Sequence, residues 1–180
     1  MKTNILILIL FFISFGIFSQ EEYIYYDGNE PRTIYLLTEY GAMVNTGNTN
    51  LRSALKDIVP VHSKGSLSIY KITSQGLKSA LRNSQEDKNI LQVFSENKSL
   101  DRYIIPSGNI VVQFELGFQK DEVYKWATDN GYKILNNIFG NFYLIESPPG
   151  VTAIQIANKI RNMEHILSAT PDLIKPFSTR

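Results

Sequence analysis

From Asn109 the chain alternates, with Ile110, Val112, Phe114 and Leu116 on one side and Val111, Gln113 and Glu115 on the other. Successive side chains of a strand point to opposite faces, so a slip of one residue would carry all four apolar groups into water. The pattern predicts a strand whose register is set by one buried face. The elements that follow must cover that face.

They are suited to do so. Residues 121–129 place Val123, Trp126 and Ala127 at helical spacing, with Asp121 and Glu122 in the first turn, where the helix dipole favours negative charge. Gly131 suits a left-handed residue after the helix. Residues 132–135 and 139–146 read as two strands, and Pro148-Pro149-Gly150 breaks the chain. Thr152 is placed to cap a helix over 153–163 whose apolar side is Ala153, Ile156, Ala157 and Ile160. A strand over 166–169 closes the unit before Pro171, and Pro106-Ser107-Gly108-Asn109 reads as a turn at its front. Residues 109–176 therefore read as βαββαβ.

The first half carries a similar rhythm. Tyr23-Ile24-Tyr25-Tyr26, Asp27-Gly28 and Thr33-Ile34-Tyr35-Leu36-Leu37 predict a β-hairpin with a tight turn. Met43-Val44 is a short apolar segment. Asn50 caps a helix over 51–58, which Pro60 stops. Residues 65–72 read as a strand, 76–84 as a helix and 90–94 as a strand. Leu77-Lys78-Ser79-Ala80-Leu81 followed by Ile90-Leu91 is echoed by Ala153-Ile154-Gln155-Ile156-Ala157 followed by Ile166-Leu167. The expected fold class is α+β: a ferredoxin-like βαββαβ sandwich in the C-terminal half, within a tandem of two related subdomains over 20–102 and 103–180.

Residues 1–19 read as a secretory signal. Lys2 is followed by an apolar run over 5–18, Ser19 is a small residue before the cut, and Gln20-Glu21-Glu22 follows. The run falls short of the ~20 residues that span a bilayer, so the expected destination is periplasmic or extracellular, with no membrane attachment after cleavage. There is no cysteine, which leaves the apolar core to hold an exported chain together. With 18 basic against 17 acidic residues there is no field to steer the chain onto nucleic acid. His62 and His165 lack ligand spacing, so no metal or other cofactor is expected.

Ile110-Val111-Val112-Gln113-Phe114 with its helix, Gly140-Asn141-Phe142-Tyr143-Leu144-Ile145, the helix ending Ile160-Arg161-Asn162-Met163, and Ile166-Leu167-Ser168-Ala169-Thr170-Pro171-Asp172 together resemble the N-terminal prodomain of subtilisin-like serine proteases. The fervidolysin-like prodomain is the nearest type, and Ala169-x-Pro171-Asp172 is the most specific part of the resemblance. Members of that family continue into a catalytic domain with an Asp motif, a His-Gly-Thr-His motif and a Gly-Thr-Ser-Met motif, none of which stands in this sequence. The expectation is a protein without catalytic residues.

The resemblance implies a partner, a subtilisin-like serine protease, bound in trans or in cis within a longer precursor. It implies an inhibitor and folding chaperone whose sheet packs on the protease while its tail lies in the substrate cleft, adding a strand there. With Arg180 as the end, Phe177, Ser178, Thr179 and Arg180 would fill the non-primed subsites, Phe177 in the fourth pocket and Arg180 in the first. Carboxylates that cap protease helices are a family feature, and Glu115, Glu146 and Asp172, at or beyond strand ends, are the candidates here. Two other readings stay open: a truncated or split protease precursor, and an extracellular peptide- or glycan-binding module using the tyrosines between Tyr23 and Tyr35.

Overall fold

A computed structural model describes residues 21–44, 58–72 and 90–176. The signal segment, the helices expected at 51–58 (save Ile58) and 76–84, and the tail Phe177 to Arg180 lie outside the described residues. The described chain is α+β, with a largely antiparallel sheet and two helices. Its strands are β1 (Glu22–Asp27), β2 (Glu30–Val44), β3 (His62–Lys64), β4 (Leu67–Lys71), β5 (Leu91–Ser95), β6 (Tyr103–Phe114), β7 (Ile134–Phe139), β8 (Phe142–Glu146) and β9 (Ile166–Ile174). Helix α1 spans Lys120–Asp129 and helix α2 spans Val151–Arg161.

The strands join in the order β3-β4-β2-β5-β6-β8-β7, with β1 added to β2 and β9 to β6. Both halves repeat one arrangement. Counting β6, β7, β8 and β9 as first to fourth, the spatial order is fourth, first, third, second; β2, β3, β4 and β5 follow the same order. Strand β6 is the seam. Its start pairs with β5 through Phe94 and Ser95, and its remainder lies between β8 and β9.

The alternation of β6 does what its pattern requires. Ile110, Val112 and Phe114 are fully buried and cluster with Val123 of α1, Ala157 and Ile160 of α2, and Tyr143, Ile145 and Ala169 of the flanking strands. Phe114 meets Trp126 and Tyr143 edge-on, with ring centroids 5.1 and 5.6 Å away, and stacks on Phe118. Leu116, expected on the same buried face, is 88 % exposed. The strand ends at Phe114, and the next amide, of Glu115, bonds the His165 carbonyl at 2.9 Å, turning the chain off the sheet before Leu116.

Three boundaries differ from the sequence reading, two because turn-forming residues lie inside strands and one because Gly140-Asn141, expected within a strand, makes a turn. Pro106 to Asn109 is not a turn but the middle of β6, where the pairing with β9 shifts register and Gly108 takes φ +103°. Pro171 does not follow the last strand; it lies within β9 opposite Ile110, on a strand that among the described residues pairs with β6 alone and so tolerates a missing donor. The β7–β8 turn sits at Gly140-Asn141, so Phe139 ends β7 rather than starting β8. In the first half, β2 runs unbroken to Val44, and the strand expected over 65–72 is one arm of a hairpin whose other arm is β3.

The start of α2 shows how the halves are locked together. Thr152 is not its cap. Gly150 holds that position at φ 75°, and the Val151 amide donates to Gln92 Oε1 of β5 at 2.8 Å. A Cβ on Gly150 would collide with the Gln92 amide, and one on Gly108 would stand 2.9 Å from the Ser147 carbonyl. The Gly108 carbonyl accepts from the Ser147 amide at 2.7 Å, and the Pro106 carbonyl from the Gly150 amide at 3.2 Å. Helix α2 also buries Ile154, outside the expected face, against Tyr25, Ile34, Phe94 and Ile104. It therefore packs on two sides.

Two stability measurements check this account. Phe114→Ala is expected to lower the unfolding free energy by about 3–5 kcal/mol in a denaturant titration. Gly150→Ala and Gly117→Ala both place a side chain at positive φ, but nothing lies within 4 Å of Gly117. Gly150→Ala should therefore be the more damaging by about 1–2 kcal/mol, the worth of the displaced Gln92 cap.

Candidate functional site

Among the described residues no helix covers the sheet face opposite α1 and α2, which the hairpin tip touches through the Gly28 amide on Thr170 Oγ1 at 3.3 Å. Opposed residues of antiparallel strands share a face, which puts Val111, Leu144 and Thr170 in one row and Gln113, Phe142 and Ser168 in the next. All six are half-buried, and none belongs to a core cluster. Phe139, 63 % exposed, stacks on Phe142 at 4.6 Å and extends this face toward the β7–β8 turn. The apolar groups Val111, Phe139, Phe142 and Leu144 are framed by Asn136, Gln113, Ser168 and Thr170, a composition that suits a protein interface.

The sequence candidates distribute around this face rather than on it. Ala169 is fully buried on the helix side and Pro171 is buried opposite Ile110, so both build the core. Asp172 lies within β9, not beyond it, and accepts the Ser107 hydroxyl at 2.7 Å. Glu146, the last residue of β8, pairs with Lys133 at 2.8 Å. Glu115, one residue past β6, meets His165 Nδ1 at 3.1 Å, and the His165 ring stacks on Phe118. Antiparallel pairing sends Glu146 and Asp172 to one end of the sheet and Glu115 to the other. They do not form one cluster.

The tyrosines of the N-terminal hairpin are largely committed to packing. Tyr25 is fully buried, Tyr23 meets Phe94 edge-on, Tyr26 lies under the Arg161 guanidinium at 4.1 Å, and Tyr35 lies under Lys98. The hairpin reaches over the second half: Arg161 donates to the Gly28 carbonyl and to Asn29 Oδ1, and Asn158 donates to the Ile24 carbonyl. Lys175, just past β9, donates to the Tyr25 hydroxyl at 3.1 Å and faces Asp27 at 3.6 Å. Sequence reasoning missed these contacts because they join residues more than a hundred positions apart.

A shallow, open depression of about 530 Å3 lies between Leu116, Phe118, Lys120, Asn137 and Tyr143. Its amides at the start of α1 are already served by the reciprocal Gln119–Glu122 capping box. Among the described residues no group of three or more His, Asp or Glu side chains is placed to hold a metal ion. Comparisons with protein-family models, with curated proteins and with solved structures found no match.

Burial holds the Tyr25 phenol above the usual tyrosine range, and the Lys175 ammonium opposes that only in part. A raised pKa favours the neutral form in the folded state, so this contribution is present below the unfolded value of about 10 and is lost as pH rises past it. Equilibrium unfolding followed between pH 8 and 11 should therefore show wild type losing stability at alkaline pH, and Tyr25→Phe losing less.

Proposed function

We propose that this chain is an exported, propeptide-like protein that binds a subtilisin-like serine protease, as inhibitor, folding chaperone or both, and that it has no catalytic role of its own. Its architecture on this reading is a tandem of two ferredoxin-like subdomains. The strand order fourth, first, third, second in each half supports that architecture, as does the βαββαβ order of the second half. Fold alone does not choose a function. The observation that carries the reading is the face of the second sheet that no helix covers among the described residues, with Val111, Phe142 and Leu144 half-exposed in consecutive rows beside Phe139. Such a face buries apolar area on a partner while β6, β8 and β9 hold it rigid, so little ordering is required on docking.

Residues 177–180, which follow β9 in sequence, are the segment proposed to enter the protease cleft. The tyrosine strip gives less support to a glycan-binding module, since Tyr25 has no exposed surface to offer.

The reading is tested with residues 20–180, purified subtilisin and a chromogenic peptide substrate. Inhibition at micromolar protein or below is expected. Leu144→Glu, at a half-exposed position, should leave the thermal transition within a few degrees of wild type and weaken inhibition at least tenfold. Removal of residues 177–180 should weaken it separately. Neither inhibition nor faster refolding of denatured subtilisin by the wild-type chain would overturn the reading.

A further inference from the structure

The depression beside the start of α1 holds polar groups that the fold does not use. Tyr143 lines it and is only 4 % exposed. Its ring stands edge-on to Phe114 and Tyr124 at 5.6 and 6.4 Å, which fixes it in the core. The hydroxyl has no hydrogen-bond partner among the described residues. Nor is it sealed off. Among those residues His62 Nε2 and Asn158 Oδ1 are the buried side-chain polar atoms without a partner, so the small exposed part of Tyr143 includes its hydroxyl. A buried tyrosine ordinarily pairs its hydroxyl within the protein, and this one presents it to the depression instead.

The rim supplies a charge and acceptors. Lys120 is the one charged residue among those described that line the depression. It is exposed, lies 5.9 Å from the centre of the Tyr124 ring and makes no ion pair among the described residues. The acids nearest in sequence do not neutralise it: Glu122 accepts the Gln119 amide at 2.6 Å, Glu115 faces His165, and Asp121 is not part of the lining. Across from Lys120, the Asn137 side-chain nitrogen donates to the Gly140 and Phe142 carbonyls, and that of Asn141 donates to the Phe114 carbonyl. Both side-chain oxygens are left to accept among the described residues. Leu116 and Phe118 add an apolar wall.

We infer that this depression binds the C-terminal residue of a peptide ending in an apolar side chain. The terminal carboxylate meets the Lys120 ammonium and accepts from the Tyr143 hydroxyl. The N–H of the same residue donates to an asparagine oxygen, and its side chain lies on Leu116 and Phe118. The volume of about 530 Å3 is in the range of small-ligand pockets. This site is independent of the protease-binding reading, which uses the opposite face of the sheet, so either can fail without the other.

The experiment titrates acetyl-Ala-Ala-Leu with a free carboxylate, and the same peptide as its C-terminal amide, into the isotope-labelled chain and follows backbone amide shifts by NMR. The free acid is expected to move Gly117, Lys120, Gly140 and Asn141 with a dissociation constant of about 1 mM or below, and the amide to bind roughly fivefold more weakly. Tyr143→Phe keeps the packed ring and removes the hydroxyl. It should weaken the free acid about fivefold, the worth of one hydrogen bond, while the shifts of Val112 and Ala169 in the free chain stay in place. Lys120→Gln, at an exposed position, should bring the free acid to within about twofold of the amide and leave the amide unaffected. No saturable movement of these residues at about 10 mM peptide, equal binding of acid and amide, or movement centred on Val111 and Leu144 would overturn the inference. So would wild-type affinity for the free acid in either variant.

Discussion

Everything described here depends on β6 serving two sheets at once. Its first residues pair with β5 and its last pair with β8 and β9, so one continuous strand fixes the second half against the first. The bend that this requires is taken up at Gly108, whose positive φ and close approach to Ser147 and Pro149 leave no room for a side chain. Beside it, Gln92 of the first half caps α2 of the second, which is possible because Gly150 has no Cβ. Two glycines and one amide side chain thus set where α2 starts. That helix in turn covers the buried face of β6 and, through Ile154, the hairpin cluster.

The buried face was legible in the sequence, because Ile110, Val112 and Phe114 obey a period of two and Val123, Ala157 and Ile160 obey the helical one. The bulge was not. Pro-Ser-Gly-Asn has the composition of a turn, and distant partners, among them Ser147, Gly150 and Asp172, hold it in a strand. Pro171 misled for the same reason, since its tolerance depends on β9 being bordered by one strand. Ile154 and the Gln92 cap depend on residues from the other half of the chain, which no local pattern encodes. Of the candidate site, the outward positions Val111 and Gln113 followed from alternation alone. Their union with Phe142 and Leu144 needed the register.

The same construction accounts for the proposed activity. Among the described residues α1 and α2 lie on one side of the second sheet, and on the proposed reading the apolar groups Val111, Phe139, Phe142 and Leu144 of the other side anchor the partner. The carboxylates once grouped by sequence are separated to opposite ends, where Asp172 and Glu146 have partners within the chain. Recognition on this account is led by the apolar face and the residues after Ile174, with charges at the margin.

Hydrogen–deuterium exchange of the chain, alone and with a subtilisin whose nucleophilic serine is replaced by alanine, tests that claim most directly. The account predicts protection on binding in the peptides covering β8 and the central part of β6, together with the residues after Ile174. Protection confined to β1 to β4, or none at any concentration that saturates a micromolar complex, would contradict it.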